Sequence, residues 1–273
     1  LAQDYPTIEI VVIDNASTDG TDEMFRTELL DPRVRYFKMT ENLGVSGGRN
    51  AALARATGEV LVTIDDDAAL IDGRTTQLLV DRFAAEPQLG AIAFRIEDFY
   101  TGELQRMFFP SKDKSRDSHE EFETTWFIGA GHAIPRKVYE EVGPYRDYRP
   151  YGSEEFDLAL RVIDHGYRII YDPRVRVRHK ETSTARLPDT RLFALRLKHR
   201  IKAAVLNLPW TSVLTFLVLR SAATVVKSRG NVAALSLAYW WILQDLPSWL
   251  RDRQPIGRPA IARLKALRGP LYH

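Results

Sequence analysis

The chain has 273 residues, 45% of them hydrophobic and 27% charged, the composition of a soluble globular protein with one large domain or a domain and an appendage. It contains no cysteine, which excludes disulfides, zinc–thiolate centres and thiol nucleophiles. The net charge of +2 hides a division: residues 190–273 hold 14 Lys/Arg against only Asp245 and Asp252, so an acidic body carries a basic tail.

The first residues, Leu1-Ala2-Gln3-Asp4-Tyr5-Pro6, show no basic–apolar–small leader pattern and read as the end of a helix turning into a strand. Residues 8–13 predict that strand, ended by the polar turn Asp14-Asn15-Ala16-Ser17-Thr18-Asp19-Gly20. A helix over 21–30 and a strand over 34–37 follow. Residues 42–48 form a glycine-bearing loop leading into a helix that Arg49 and Asn50 begin and Gly58 ends. The β-branched run 60–64 predicts a buried strand, and it delivers Asp65-Asp66-Asp67. Such strand–helix alternation predicts a parallel α/β sheet, whose ligands bind beyond the strands' carboxyl ends. Asp14 and Asp65 to Asp67 should therefore face one crevice.

Further along, residues 72–85 predict a helix and 91–96 a strand, while the polar stretch 99–125 has no clear assignment. Gly129 and Gly131 suggest close approach of the backbone to a ligand or another strand. Helices are expected over 135–142 and 153–165, the latter capped by Ser153, and short strands over 168–171 and 175–177. From Arg191 onward apolar and basic residues alternate as in a basic amphipathic helix. Residues 213–226 are apolar but for Arg220, and residues 232–250 carry Tyr239, Trp240, Trp241 and Trp249. Neither run is a charge-free span of ~20 residues, and both fit helices lying in a membrane interface. The tail, residues 190–273, is thus read as a membrane-associating unit beside a domain at residues 1–189. Its partner is anionic lipid rather than nucleic acid, because its Trp and Leu content suits lipid better.

Three adjacent carboxylates at a strand end repel one another and stabilise no core, so an external cation should compensate them. Hard divalent ions, Mg²⁺ or Mn²⁺, prefer such oxygens and keep positions open for phosphates. His179, an ordinary surface histidine taken alone, has an imidazole that completes such a coordination shell. Glu154 and Glu155 open a helix after the aromatic, glycine-bearing loop 148–152, where a carboxylate at a pocket mouth is a natural general base. Asp157 has a plainer role one turn before Arg161, with which it should pair.

Taken together, Val11-Val12-Ile13-Asp14-Asn15, Asn42-x-Gly44-x-x-x-Gly48-Arg49-Asn50, Asp65-Asp66-Asp67, Glu154-Glu155-x-Asp157-Leu158-x-x-Arg161 and His179 closely resemble the family 2 glycosyltransferases of GT-A fold. The resemblance covers residues 1 to about 180. It implies a Rossmann-like, mixed, mainly parallel sheet with flanking helices, followed here by a C-terminal α-helical extension. It implies a nucleotide-diphospho-sugar donor, a divalent metal and inverting single displacement. The membrane-associating tail in turn suggests a glycan or lipid-linked acceptor presented at the inner face of the cell membrane. By the same resemblance Asp14 contacts the nucleotide base, Arg49 lies near the base or diphosphate, and Asp65 faces the ribose. Asn15 and Asp66 complete the nucleotide-sugar set, Asp67 and His179 hold the metal, and Glu155 or Glu154 is the catalytic base. Glu155 stands where the family usually has Asp, a change in length and not in chemistry. The family also begins with a strand and helix that this chain lacks, which implies a missing central strand, lowered stability and weak nucleotide binding. The competing readings are an inert membrane-binding fragment and a metal-dependent phosphohydrolase or nucleotidyltransferase. The sugar, hexosyl or deoxyhexosyl, is not specified by these motifs.

Overall fold

The computed structural model describes residues 1–113, 115–180 and 189–269. In chain order it comprises β1 (Ile10–Asp14), α1 (Thr21–Thr27), β2 (Val34–Lys38), α2 (Gly44–Leu53), β3 (Val60–Thr63), β4 (Ala68–Leu70), α3 (Thr75–Ala85) and β5 (Leu89–Asp98). There follow β6 (Phe122–Thr124), β7 (His132–Pro135), α4 (Arg136–Val142), α5 (Glu154–Asp164), β8 (Arg168–His179), α6 (Asp189–Asn207), α7 (Trp210–Lys227), α8 (Val232–Arg251) and α9 (Arg258–Ala266).

The strands form two sheets. β1 and β2 pair in parallel, while a six-stranded sheet runs β3–β7–β5–β8–β4 with β6 on β8. Within the larger sheet β5 and β8 are parallel and the other pairings antiparallel, so it is mixed. β5 is buried on both faces, which explains its nearly continuous apolar sequence. Its alternate residues separate cleanly: Ala91 and Ala93 join Leu158 and Leu160 of α5, whereas Ile92, Phe94 and Ile96 join Leu79 of α3.

Among the described residues no ladder bond joins β1 to β3. The two sheets are tied instead by Glu9, just ahead of β1. Its carboxylate accepts from the Gly58 N–H at 2.9 Å and the Thr57 hydroxyl at 2.8 Å, just ahead of β3, and from Arg35 of β2 at 2.6 Å. Burial would raise the Glu9 pKa, but these donors outweigh it and hold the group down at about 2.

Local differences from the sequence reading have physical causes. α2 starts at Gly44, so the glycines taken for a loop lie inside the helix. Gly44 has φ +69°, and a Cβ there would lie 2.7 Å from Arg149 Cγ and 2.9 Å from the Pro150 carbonyl. Glycine is therefore required by the approach of the 149–150 backbone, whose Pro150 carbonyl accepts from Val45 N–H at 2.9 Å. Ser153 has φ +75° and gives α5 no side-chain cap. β8 is one strand across both expected ones, with an irregularity opposite Phe94 and Arg95. β4, directly after the aspartates, has no counterpart in the sequence reading.

In the tail, α6 spends its apolar stripe on protein: Leu195, Leu197, Ile201 and Val205 are buried, and the last three share the core of α5. α7 and α8 keep outward apolar faces instead. Leu214, Val218 and Val225 are exposed along α7, and Val232, Trp240, Leu243 and Leu250 along α8. By length and composition alone, α7 is apolar enough to cross a membrane.

Candidate active site

β3 ends at Thr63, and the chain turns through the three aspartates into β4, which pairs antiparallel with the end of β8. The register sets Ala68 opposite His179, and Lys180 N–H donates to the Asp67 carbonyl at 2.8 Å. This pairing, not sequence proximity, brings His179 to the aspartates. Asp65, Asp67 and His179 place one ligand atom each within 4.8 Å of the others, and His179 Nε2 lies 3.3 Å from Asp67 Oδ1. Asp66 is exposed and stands outside this cluster.

His179 is oriented from behind. Its Nδ1 lies 3.0 Å from Gln105 Oε1, while Gln105 Nε2 donates to the His179 carbonyl at 3.4 Å, which fixes the amide. Nδ1–H therefore donates, which turns Nε2 toward the cluster as the nitrogen a metal would use once deprotonated. Burial, reinforced by the charges of Asp65 and Asp66 and opposed by His179, pushes the Asp67 carboxyl above its ordinary range. Two carboxylates and one free imidazole nitrogen form a donor set suited to a hard or borderline divalent cation.

Beside it, Arg49 of α2 joins this cluster to the start of α5. Its Nη2 donates to Asp65 Oδ1 at 3.0 Å, and its Nη1 to Glu155 Oε1 at 2.7 Å and Glu154 Oε1 at 3.4 Å. Burial works against the Arg49 charge, yet Glu155, Asp65 and Glu154 outweigh it and push its pKa up. The two glutamates differ. Glu154 is buried and its Oε2 accepts from Gly152 N–H at 2.6 Å, so it fastens the loop; burial and the neighbouring Glu155 charge push its pKa up. Glu155 is only half-buried and keeps the more accessible carboxylate.

Gly129 makes room for this arrangement, since a Cβ there would stand 1.9 Å from Arg49 Nη2 and 2.5 Å from Glu155 Oε1. Behind Arg49 lies the Tyr145 ring, its centroid 5.8 Å from the guanidinium carbon. Tyr145 OH is 2.7 Å from His132 Nε2, and His132 Nδ1 is 2.8 Å from the Ile128 carbonyl. Burial and the Arg49 charge hold the His132 pKa down at about 3, so the ring is neutral, with Nδ1–H donating to Ile128 and Nε2 accepting from Tyr145.

Asp157 has the plainer role expected of it, since its Oδ2 accepts from Arg161 Nε at 3.0 Å. Its Oδ1 also accepts from Arg146 at 3.0 Å and from Asn207 of α6 at 2.7 Å, so it ties α5 to the tail. Asp14 is buried at the end of β1, accepting from Ser17 N–H at 2.6 Å and from Tyr36 OH. Burial would raise its pKa, but these donors outweigh it and hold it low. Asn15 clamps the start of α2, donating to the Gly44 carbonyl and accepting from Leu43 N–H, each at 3.0 Å.

A family model described as Glycosyl transferase family 2 matches residues 1–143, more than half of the chain. The chain belongs to glycosyl transferase family 2. Among characterised relatives, it is 27% identical over 201 residues to the glucosyl-dolichyl phosphate glucuronosyltransferase of Haloferax volcanii, covering 66% of this chain and 61% of that protein. It is 34% identical over 89 residues to the succinoglycan biosynthesis protein ExoO of Rhizobium meliloti, covering 33% of this chain and 25% of the relative. The chain thus spans less than two thirds of either protein. In fold it is similar to the Pyrobaculum calidifontis mannosyltransferase PcManGT solved with GDP-Man and Mn²⁺, at TM-score 0.57 and 23% identity, covering 97% of this chain and 72% of that one. The GT-A fold expected from the motifs is therefore present.

For this family 2 chain, three site-building residues were missed by the sequence reading: Gln105, Tyr145 and His132. Gln105 lies in the stretch without an assignment, and nothing local marks it. The glycines at 129 and 131 signal a close approach to a ligand or another strand, whereas what Gly129 meets is the side chains of Arg49 and Glu155 on α2 and α5.

Proposed function

We propose that this chain transfers a sugar from a nucleotide-diphospho-sugar to an acceptor hydroxyl with inversion, in the synthesis of a surface polysaccharide or glycolipid. The observation that carries the reading is the bridge by which Arg49 links the Asp65–Asp67–His179 cluster to the carboxylates of Glu154 and Glu155. Asp67 and His179 would hold a divalent cation, Mg²⁺ or Mn²⁺, which would supply Lewis-acid stabilisation to a departing diphosphate. Glu155 Oε takes the proton of the acceptor hydroxyl as its oxygen attacks the anomeric carbon from the face opposite the diphosphate. Glu154, fastened to Gly152, keeps the start of α5 in register. Asp65 and Arg49 face the ribose and diphosphate, while Asp14 and Asn15 shape the side that receives the base.

The acceptor is a glycan or a lipid-linked sugar, presented at the inner face of the cell membrane where the basic tail finds anionic lipid. The dolichyl-phosphate-linked substrate in the name of the Haloferax relative supports this choice. Among the described residues there is one candidate metal cluster, whereas a two-metal phosphohydrolase needs a second.

A thermal-shift titration with UDP, dTDP and GDP, each with and without Mn²⁺, tests the reading. One nucleotide should raise the melting temperature only with metal, and Asp67→Ala should abolish that response. Stabilisation that ignores both metal and Asp67 would overturn it.

A further inference from the structure

Glu154 and Glu155 project from the end of a turn with unusual backbone. Gly152 and Ser153 are both left-handed, at φ +107° and +75°. Glycine adopts that conformation freely, whereas a serine holds it only where its surroundings impose it. Part of the hold is local, since Gly152 N–H donates to Glu154 Oε2 at 2.6 Å. On the α2 side, Ser46 Oγ accepts from Tyr148 N–H at 3.1 Å, and Val45 N–H donates to the Pro150 carbonyl at 2.9 Å. These contacts stop one residue short of Tyr151, which enters the turn.

Tyr151 is held from the tail. His199 of α6 is buried, with its Nδ1 3.0 Å from the Tyr151 carbonyl. A carbonyl only accepts, so Nδ1–H donates and the tautomer is fixed. Burial outweighs the Tyr151 bond and, with the Lys198 and Lys202 charges, holds the His199 pKa down at about 4, so the ring is neutral. The ring stands edge-on to the buried Tyr148, centroids 5.4 Å apart, which keeps it against the carbonyl. Lys202, on the next turn of α6, donates to the Asp147 carbonyl and lies 4.8 Å over the Tyr148 ring. α6 thus grips the loop at residue 147 and again at residue 151.

We propose that His199 is a positioning residue for the reaction: by holding the Tyr151 carbonyl it keeps the Gly152–Ser153 turn left-handed and so aims Glu155 at the acceptor. This rests on the role proposed above for Glu155, and it gives the tail a part in transfer itself, apart from any role at a membrane. With the carbonyl released, Ser153 relaxes toward ordinary backbone and the first turn of α5 is re-aimed. The rest of α5, from Leu158 to Ile163, stays packed in the core. Asp14, Asp65 and Asp67 stand on other elements, so the donor side is spared.

The test follows release of nucleoside diphosphate to water by the full chain with Mn²⁺, from UDP-glucose, dTDP-glucose or GDP-mannose according to the nucleotide that stabilises it. His199→Phe keeps an aromatic ring and loses the donor. It should lower kcat about 10- to 100-fold, leaving the donor KM and the metal-dependent rise in melting temperature unchanged. His199→Asn, whose side-chain N–H stands where Nδ1–H was, should recover most of the rate. Hydrogen exchange reads the same hold without turnover: the Gly152 amide should lose protection in His199→Phe and regain it in His199→Asn, while β5 amides stay protected. A merely structural residue would lower the melting temperature and leave kcat alone. That result would overturn the proposal, as would unchanged Gly152 exchange in His199→Phe, or a rate loss that His199→Asn does not repair in a folded protein. His199→Leu, smaller than the ring it replaces, gives the same reading should the phenylalanine variant not fold. Glu155→Gln separates the two failures. If it stays active, the base assignment falls and the role of His199 with it; if it is inactive while His199→Phe keeps full turnover, only the role of His199 falls.

Discussion

The larger sheet buries both faces of β5 between α3 and α5, whereas the β1–β2 sheet has no fully buried apolar side chain and is fastened by polar ties from Glu9 and Asn15. Hydrophobic burial is non-directional and insensitive to pH, while a carboxylate clamp depends on geometry and on ionisation. The division runs through the site. The candidate metal cluster and Glu155, proposed as the base, stand on the packed frame, and Asp14 and Asn15, proposed to face the nucleotide, stand on the tethered one. On that proposal, chemistry that requires placement within a fraction of an ångström is given the stiffer support.

The strongest way to probe the stiff side is Glu155→Gln. On the proposed mechanism it lowers kcat by about 10²- to 10⁴-fold while donor binding and melting temperature hold steady. Loss of donor binding would show instead that Glu155 serves the nucleotide. Next, truncation should separate the two sheets. Ile92→Ala, at a fully buried position, should cost about 2–5 kcal/mol in denaturant unfolding, and Val12→Ala in β1 about 1 kcal/mol or less. Equal costs would erase the contrast. Gln105→Ala frees the His179 ring and should weaken Mn²⁺ affinity by about 10- to 100-fold by calorimetry, leaving the fold intact.

The smallest effect concerns acid. The folded pKa of Glu9 lies below its ordinary value of 4.5, so its contribution to stability is complete above 4.5 and fades as pH falls towards about 2. Amides of β1 and β2 should therefore lose hydrogen-exchange protection in that window before those of β5 do. Glu9→Gln should remove this pH dependence, and unchanged behaviour in the variant would assign the tie to other contacts.

What the sequence disclosed follows the same division between local and non-local causes. The aspartates after an apolar run, the carboxylates opening α5 and the Asp157–Arg161 spacing are local patterns, and each is found in place. The Arg49 bridge to residues more than a hundred positions away has no local signature. Nor has the return of β4 onto β8, because a three-residue strand carries too little periodicity to be recognised. The sequence suggests too late a start for α2 because glycine disfavours helix in general, whereas Gly44 answers to one neighbouring backbone. The α6 stripe fits a lipid surface or a protein core equally well, and only the position of α5 decides between them.

The register that sets Ala68 opposite His179 also has a consequence for chain topology. Asp67 and His179 lie far apart in the polypeptide, and an ion held by both is a removable staple closing a very long loop. Unlike a disulfide, such a staple is released on unfolding, so it would stabilise the folded chain by its binding free energy and not by constraining the unfolded one. The backbone ladder of β4 on β8 closes the same loop without it. Chelation should therefore lower the melting temperature while leaving the β4–β8 pairing in place.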